Sequence, residues 1–270
     1  MSELADGVRK ELLAAIDRDD LVLPTLPEVA LAIREAAEDS EISVSHLSRV
    51  IGRDAALAAR LIQVVNSPLL RATVEVNDLQ TAITRLGVNY SSNLAIGLVI
   101  EQIFHARSKV IGQKMREVWL QSQEIAGICY ALCRHSTHLQ SDQAALAGLI
   151  HQIGVLPILA YAQDNNELLC DPVCLHHVIE AIHPLLGGKI LARWEFPAAL
   201  ASVPGLYLDN AREATQADYG HAVQVAILLN RGGADPSAGL DELPAYRLLG
   251  LHQRAPLSAE QLREARAMFR

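Results

Sequence analysis

The stretch Ala147-Gly148-Leu149-Ile150-His151-Gln152-Ile153-Gly154-Val155-Leu156 lies inside the longest uncharged run of the chain, Gln143 to Gln163. That run is long enough to span a bilayer. Its His151, Gln152, Gly154 and Pro157 fit a buried pair of helices better, because a lipid-facing segment would have to satisfy or hide each of those polar or helix-breaking groups. A single histidine in an apolar helix is, by itself, a core histidine held by a hydrogen bond. The segments on either side give it a second meaning.

The chain around this run has the composition of a helical globule. Its 270 residues exceed the usual size of one core and predict one large domain or two packed lobes. Apolar residues make up 50% and charged ones 20%, enough to bury a large core. Aromatics are only 4% while Ala and Leu recur throughout, which favours helix packing over sheet, and no alternating strand run appears. The fold class is all-α. With 23 Lys and Arg against 31 Asp and Glu, the net charge of −8 argues against general affinity for nucleic acid. Charges at Glu3, Asp6, Arg9, Lys10 and Glu11 interrupt any secretory signal, so a cytoplasmic location without membrane contact is expected. Cys129 and Cys133, like Cys170 and Cys174, stand four apart, a helical spacing that reads as reduced core cysteine.

Periodicity and caps place the helices. Ser2 caps a first helix with apolar Val8, Leu12 and Leu13, which ends in the acidic cluster Asp17, Asp19 and Asp20. Leu23-Pro24-Thr25-Leu26-Pro27-Glu28 is extended, and Pro27 opens a helix to about Ala37. Residues 43–66 hold two short helices about Gly52, in the manner of a helix-turn-helix. Further helices are predicted over Asp78–Leu86, Tyr90–His105, Met115–Arg134, Asp142–Ile153, Val155–Ala162, Pro172–Ile182, Pro184–Trp194, Ala217–Asn230, Glu242–Gly250 and Ser258–Arg270, with a loop at residues 231–237.

Upstream of His151 runs Trp119-Leu120-Gln121-Ser122-Gln123-Glu124-Ile125-Ala126; downstream runs Glu180 to Pro197, closing on Trp194-Glu195-Phe196-Pro197. With the Leu-Pro-x-Leu-Pro opening, Asn66-Ser67 and Ala82 to Gly87, this order resembles the HDOD family, a non-catalytic relative of the HD-domain phosphohydrolases, over roughly residues 20–230. The resemblance implies a two-lobed helical fold found in bacterial signalling proteins, with residues 1–108 as the first lobe and 109–270 as an HD-like lobe.

An active HD site holds a divalent ion through a histidine, an adjacent His-Asp pair and a later Asp, and the ion activates water. By the resemblance, His151 matches the histidine of the pair while Gln152 replaces its aspartate. Gln121 stands in the place of the first histidine, Gln224 or His221 near the last aspartate, and His183 in the same vestigial pocket. A neutral amide binds divalent ions weakly, so neither a metal, a cofactor nor a catalytic residue is expected. Adjacent helical histidines His176 and His177 point about 100° apart, so with Cys170, Cys174 and His183 they do not repeat a zinc-ligand pattern. His135 and His138 suit a helix C-terminus.

Three readings of function follow. The leading one is a regulatory module that binds signalling proteins along the interlobe groove and the Leu23–Pro27 segment, with Arg34 and Glu35 exposed nearby; its pocket holds a small ligand or serves as core. The second is a metal-dependent phosphohydrolase with altered ligands. The third is a nucleic-acid-binding regulator that uses Arg49, Arg53 and Arg60. These give residues 43–66 a charge of +2, within a first 104 residues that hold nine basic and fifteen acidic side chains.

Overall fold

The computed structural model describes residues 3–18, 23–39, 41–70, 74–134, 138–231 and 240–270. Ser2, Asp19, Asp20, His135 and the predicted loop at 232–237 lie outside them. Every regular element among the described residues is helical: α1 (Glu3–Asp17), α2 (Glu28–Glu38), α3 (Val44–Ile51), α4 (Ala55–Val65), α5 (Leu79–Leu86), α6 (Val88–Val99), α7 (Lys109–Cys133), α8 (Ser141–Ile150), α9 (Val155–Gln163), α10 (Asn166–Cys170), α11 (Pro172–Arg193), α12 (Ala198–Ala201), α13 (Val203–Leu206), α14 (Tyr219–Arg231), α15 (Pro244–Leu248) and α16 (Ala259–Arg266).

The caps set the short helices. Ser43, Asp54 and Asp78 each accept a first-turn backbone N–H of α3, α4 and α5, removing orphan donors that would otherwise fray them. Asn66 fixes the chain leaving α4: its side chain donates to the carbonyl of Val76 at 2.7 Å and accepts from that residue's N–H at 2.9 Å. The helix-turn-helix pair of α3 and α4 turns Leu47, Ile51, Leu57 and Leu61 inward, so its apolar faces are core. α2 to α6 pack together as a first group. α7 and α8 form the main pairing of the second, flanked by α14, α16 and, through α9, α11. The two groups share α6 against α8, and α1 lies on α11, so one buried apolar cluster runs from Val8 to Phe269.

Several helix limits differ from the periodicity, two of them with a bearing on the core. The predicted Tyr90–His105 helix is α6 to Val99 followed by a 3-10 turn, Ile100–Ile103; Leu94, Ile96 and Leu98 are buried as expected, but Ile103 is only half-buried. The break predicted at His183-Pro184 is absent. α11 runs straight through Pro184, because only the Glu180 carbonyl loses its helical donor there while both flanks are buried against neighbours. The apolar run from 141 to 163 is divided between α8 and α9 by a turn, and most of it is buried inside the protein.

Leu61 and Leu98, at 0% and 2% exposure, test the first group. Truncation of either to Ala is expected to cost about 2–5 kcal/mol, read from urea unfolding midpoints. Midpoints that stay put in both variants would contradict this packing.

The Leu-Pro-x-Leu-Pro segment clasps the groups together. The indole N–H of Trp194 donates to the carbonyl of Pro24 at 3.0 Å, and Arg34 on α2 donates to the carbonyl of Trp194 and pairs with Glu195. Glu195 takes a positive φ of 56°, which turns the chain sharply out of α11 toward Phe196 and Pro197. Arg34 therefore belongs to an internal clasp and not to a free surface.

Candidate functional site

His151 stands at the end of α8, where the helix meets α7. Gly148 makes this approach close: a Cβ there would fall 2.4 Å from the Ala126 Cα. With that register, Ser122 on α7 and His151 lie one turn further along the antiparallel pair. After His151 the chain turns through Gly154, packed against the backbone of α11, and enters α9.

His151 is fully buried. Its Nδ1–H donates to the Gly148 carbonyl at 2.7 Å, which leaves Nε2 as a bare acceptor without a partner in the protein. The Tyr207 ring meets it edge-on at 5.1 Å. His183 is tied on both sides: Nδ1–H donates to the Ile179 carbonyl at 2.7 Å, and Nε2 accepts the Tyr207 hydroxyl at 2.6 Å. Gln152 lies against that hydroxyl, and its own Oε1 has no donor. Burial pushes the His151 pKa down to about 4, overriding the hydrogen bond to Gly148, and nearby His183 acts in the same direction. Burial lowers His183 as well and raises the Tyr207 phenol. The cluster is neutral at pH 7.

A second polar group supports it from α14. Arg212 grips the Asp218 carboxylate with two bonds of 2.7 Å, and Asp218 accepts the backbone N–H of His221 while its own N–H donates to His221 Nδ1. Burial would raise the Asp218 pKa, but these bonds from His221 and Arg212 outweigh it and hold the carboxylate below its usual range. Gln224 donates to the Asp209 carbonyl at 3.0 Å and to Asn210 Oδ1 at 2.7 Å. Together they fix the loop that follows Tyr207.

The structure thus gathers His151, Gln152 and His183, with Gln224 reaching only the loop beyond. Gln121 is exposed on α7, and the neighbouring Ser122 is the buried residue, so Gln121 does not line the pocket. A helix rotates by about 100° per residue, and the apolar Trp119, Ser122 and Ile125 to Ala126 face takes the inside. Tyr207, Ser122 and the Arg212-Asp218 pair were not evident from sequence, although Asp218 three residues before His221 carries a capping spacing. An HD metal site does not fit this donor set. Both nitrogens of His183 and the amide of Gln224 are committed, and among the described residues no carboxylate bonds to His151 and no group of three or more His, Cys, Asp or Glu is placed to hold an ion. Cys170 and His177 are exposed, His176 pairs with Glu180, and all four cysteines are free thiols. Of the three arginines, Arg49 and Arg53 are exposed, but Arg60 is half-buried and paired with Glu101, so it does not extend a cationic patch.

The buried histidine sets a pH dependence. Its folded pKa lies below the unfolded value of roughly 6.5, so the unfolded chain takes the proton first. Stability is complete above that value and is lost as pH falls toward 4, by about 3 kcal/mol from His151. Denaturant titrations between pH 7 and 4 should show the decline, and a His151→Gln variant should flatten it. An unchanged slope in that variant would locate the titration elsewhere.

Comparison with known proteins agrees with this architecture. The HDOD domain profile matches residues 23–204. A curated uncharacterized protein of Treponema pallidum is 25% identical over 209 residues, which cover 72% of this chain; the chain spans only 39% of that relative. A crystal structure from Shewanella amazonensis, provisionally named a metal-dependent phosphohydrolase, is 25% identical with a TM-score of 0.86 and covers 98% of this chain and 99% of its own. One from Marinobacter aquaeolei, provisionally named a signal transduction protein, is 20% identical with a TM-score of 0.61, covering 98% of this chain and 66% of that one. With the profile spanning more than half its length, and with its Leu-Pro-x-Leu-Pro clasp, buried histidine and Trp-Glu-Phe-Pro turn in that order along the sequence, the chain belongs to the HDOD domain family.

Proposed function

We propose that this protein is a regulatory module of bacterial signalling that acts in the cytoplasm by binding another protein, and that the His151 cluster is internal structure without hydrolytic chemistry. One observation carries the reading: the residue beside His151 is a neutral amide, and three of the four imidazole nitrogens of His151 and His183 are spent on Gly148, Ile179 and Tyr207. Without a carboxylate the cluster offers no charge to balance a divalent ion and no base to activate water. The likeness to the Marinobacter protein supports a signalling role, and the charge of −8 favours a partner with a basic face. The surface we assign to it is the groove between the lobes beside the Leu23–Pro27 segment, whose Pro24 carbonyl is itself taken by Trp194.

The second reading, a metal-dependent phosphohydrolase, draws on the likeness to the Shewanella protein and on two buried atoms without partners, His151 Nε2 and Gln152 Oε1. Metal analysis and hydrolysis of a generic phosphodiester with Mn²⁺ or Mg²⁺ separate the two. The binding reading expects neither stoichiometric metal nor turnover. Tightly held metal and an activity that both vanish in His151→Ala would install the enzyme instead. Cross-linking in the source cell, followed by reconstitution with the purified partner, tests the binding itself; recovery of nucleic acid alone would favour Arg49 and Arg53 as the working surface.

A further inference from the structure

A cleft of about 500 Å³ opens where the chain enters α7, and none of its lining residues belongs to the His151 cluster. Its wall is built from the segment Glu101–Ser108 and from the first three turns of α7. Three features converge there. His105, Lys109 and Arg116 line it, and none of them forms an ion pair with a carboxylate among the described residues. The single carboxylate on the wall, Glu101, is tied to Arg60. The cleft is therefore cationic in a chain that is acidic overall.

The second feature is the start of a 25-residue helix. The first-turn amides at 109–111 have no intrahelical acceptor, and the Ser108 side chain does not cap them, while the Ser108 N–H itself is taken by Gln163 at 2.9 Å. The third is Trp119. It is 2% exposed, forms part of the cleft wall, and its indole N–H has no acceptor in the protein. A buried N–H without an acceptor is costly unless something supplies one. Its neighbour on the same wall, Phe104, packs ring to ring with it at 5.0 Å and holds the indole in place.

We propose that this cleft binds a small organic phosphate. The phosphate oxygens would meet Lys109, Arg116 and the free amides of α7, and an oxygen of the same molecule would accept the Trp119 N–H. The volume exceeds what inorganic phosphate fills, which leaves room for an attached organic group. The site does not depend on the partner-binding reading, because a regulatory module and an enzyme could each carry it.

The chain has only two tryptophans, so a ¹⁵N–¹H spectrum holds two indole signals, and a Trp194→Phe variant assigns the one from Trp119. AMP is titrated at constant ionic strength, with adenosine as the uncharged control. The expected result is a saturable shift of the Trp119 signal with AMP and none with adenosine, the Trp194 signal staying still. In a Lys109→Ala/Arg116→Ala double variant with an unaltered melting temperature, the apparent affinity should fall about tenfold or more. A Trp119 signal that does not respond to AMP, that responds equally to adenosine, or that responds equally in the double variant would overturn the proposal.

Discussion

Gly154→Ala is expected to destabilise the protein by about 3 kcal/mol or more, the upper end of what overpacking costs in a close-packed interior. The added Cβ would fall 2.0 Å from the His183 carbonyl oxygen and 2.5 Å from the Gly187 nitrogen. Both are backbone atoms of α11, so no side chain can rotate away. Relief requires the turn after α8 to separate from α11, and that separation would pull His151 from Tyr207. Gly205→Ala makes the control: no atom lies within 4 Å of its would-be Cβ, and an exposed helical alanine should leave stability level or raise it by up to about 1 kcal/mol. Chemical unfolding of the two variants measures both. Equal midpoints would mean that α9 and α11 do not meet at Gly154.

Trp194→Ala should lose about 3–5 kcal/mol, the range for emptying a buried aromatic site. The side chain is 4% exposed, packs beside Phe196, and its N–H is the bond that holds the Pro24 carbonyl. Trp194→Phe separates the two contributions: it keeps most of the apolar volume and drops the hydrogen bond, for an expected cost of about 1 kcal/mol. Truncation should also expose the Leu23–Pro27 segment to proteolysis, seen as early cleavage before α2. If the Ala and Phe variants unfold together, the clasp rests on the bond alone; if neither moves, Trp194 does not hold the segment.

Much of the architecture was legible because the signals were local. The stop at Gly52 and the short apolar periods around it announced the short helices, and the structure begins each at a capping side chain, Ser43, Asp54 or Asp78. The errors came where tertiary packing overrides a local rule. Pro184 should end a helix, yet the buried residues around it hold α11 continuous, and the polar first turns of α7 hid its start at Lys109, six residues before the predicted Met115. The pocket was legible to the same extent. His151, Gln152 and His183 stood out as polar residues in apolar helices, and they do meet. Gln121 did not, since one position along a helix separates the exposed face from the buried one occupied by Ser122. Tyr207 has no periodic pattern and lies after a four-residue helix, so only the three-dimensional contact with His183, 24 residues earlier, reveals it.

The contact of α6 with α8 limits how the molecule can respond to a partner. Two bodies joined by a thin polar interface can rotate about a hinge, and their relative angle then carries the message. Here buried side chains continue without a break from one helical group into the other, α1 returns from the chain's beginning to lie on α11, and Arg34 reaches across to Trp194. A rigid rotation would tear that shared interior, which close-packed side chains resist. Pressure at one end would therefore propagate as small concerted shifts of whole helices, with α6 and α8 moving as a single piece, and the first helical group and the histidine cluster would feel the same displacement.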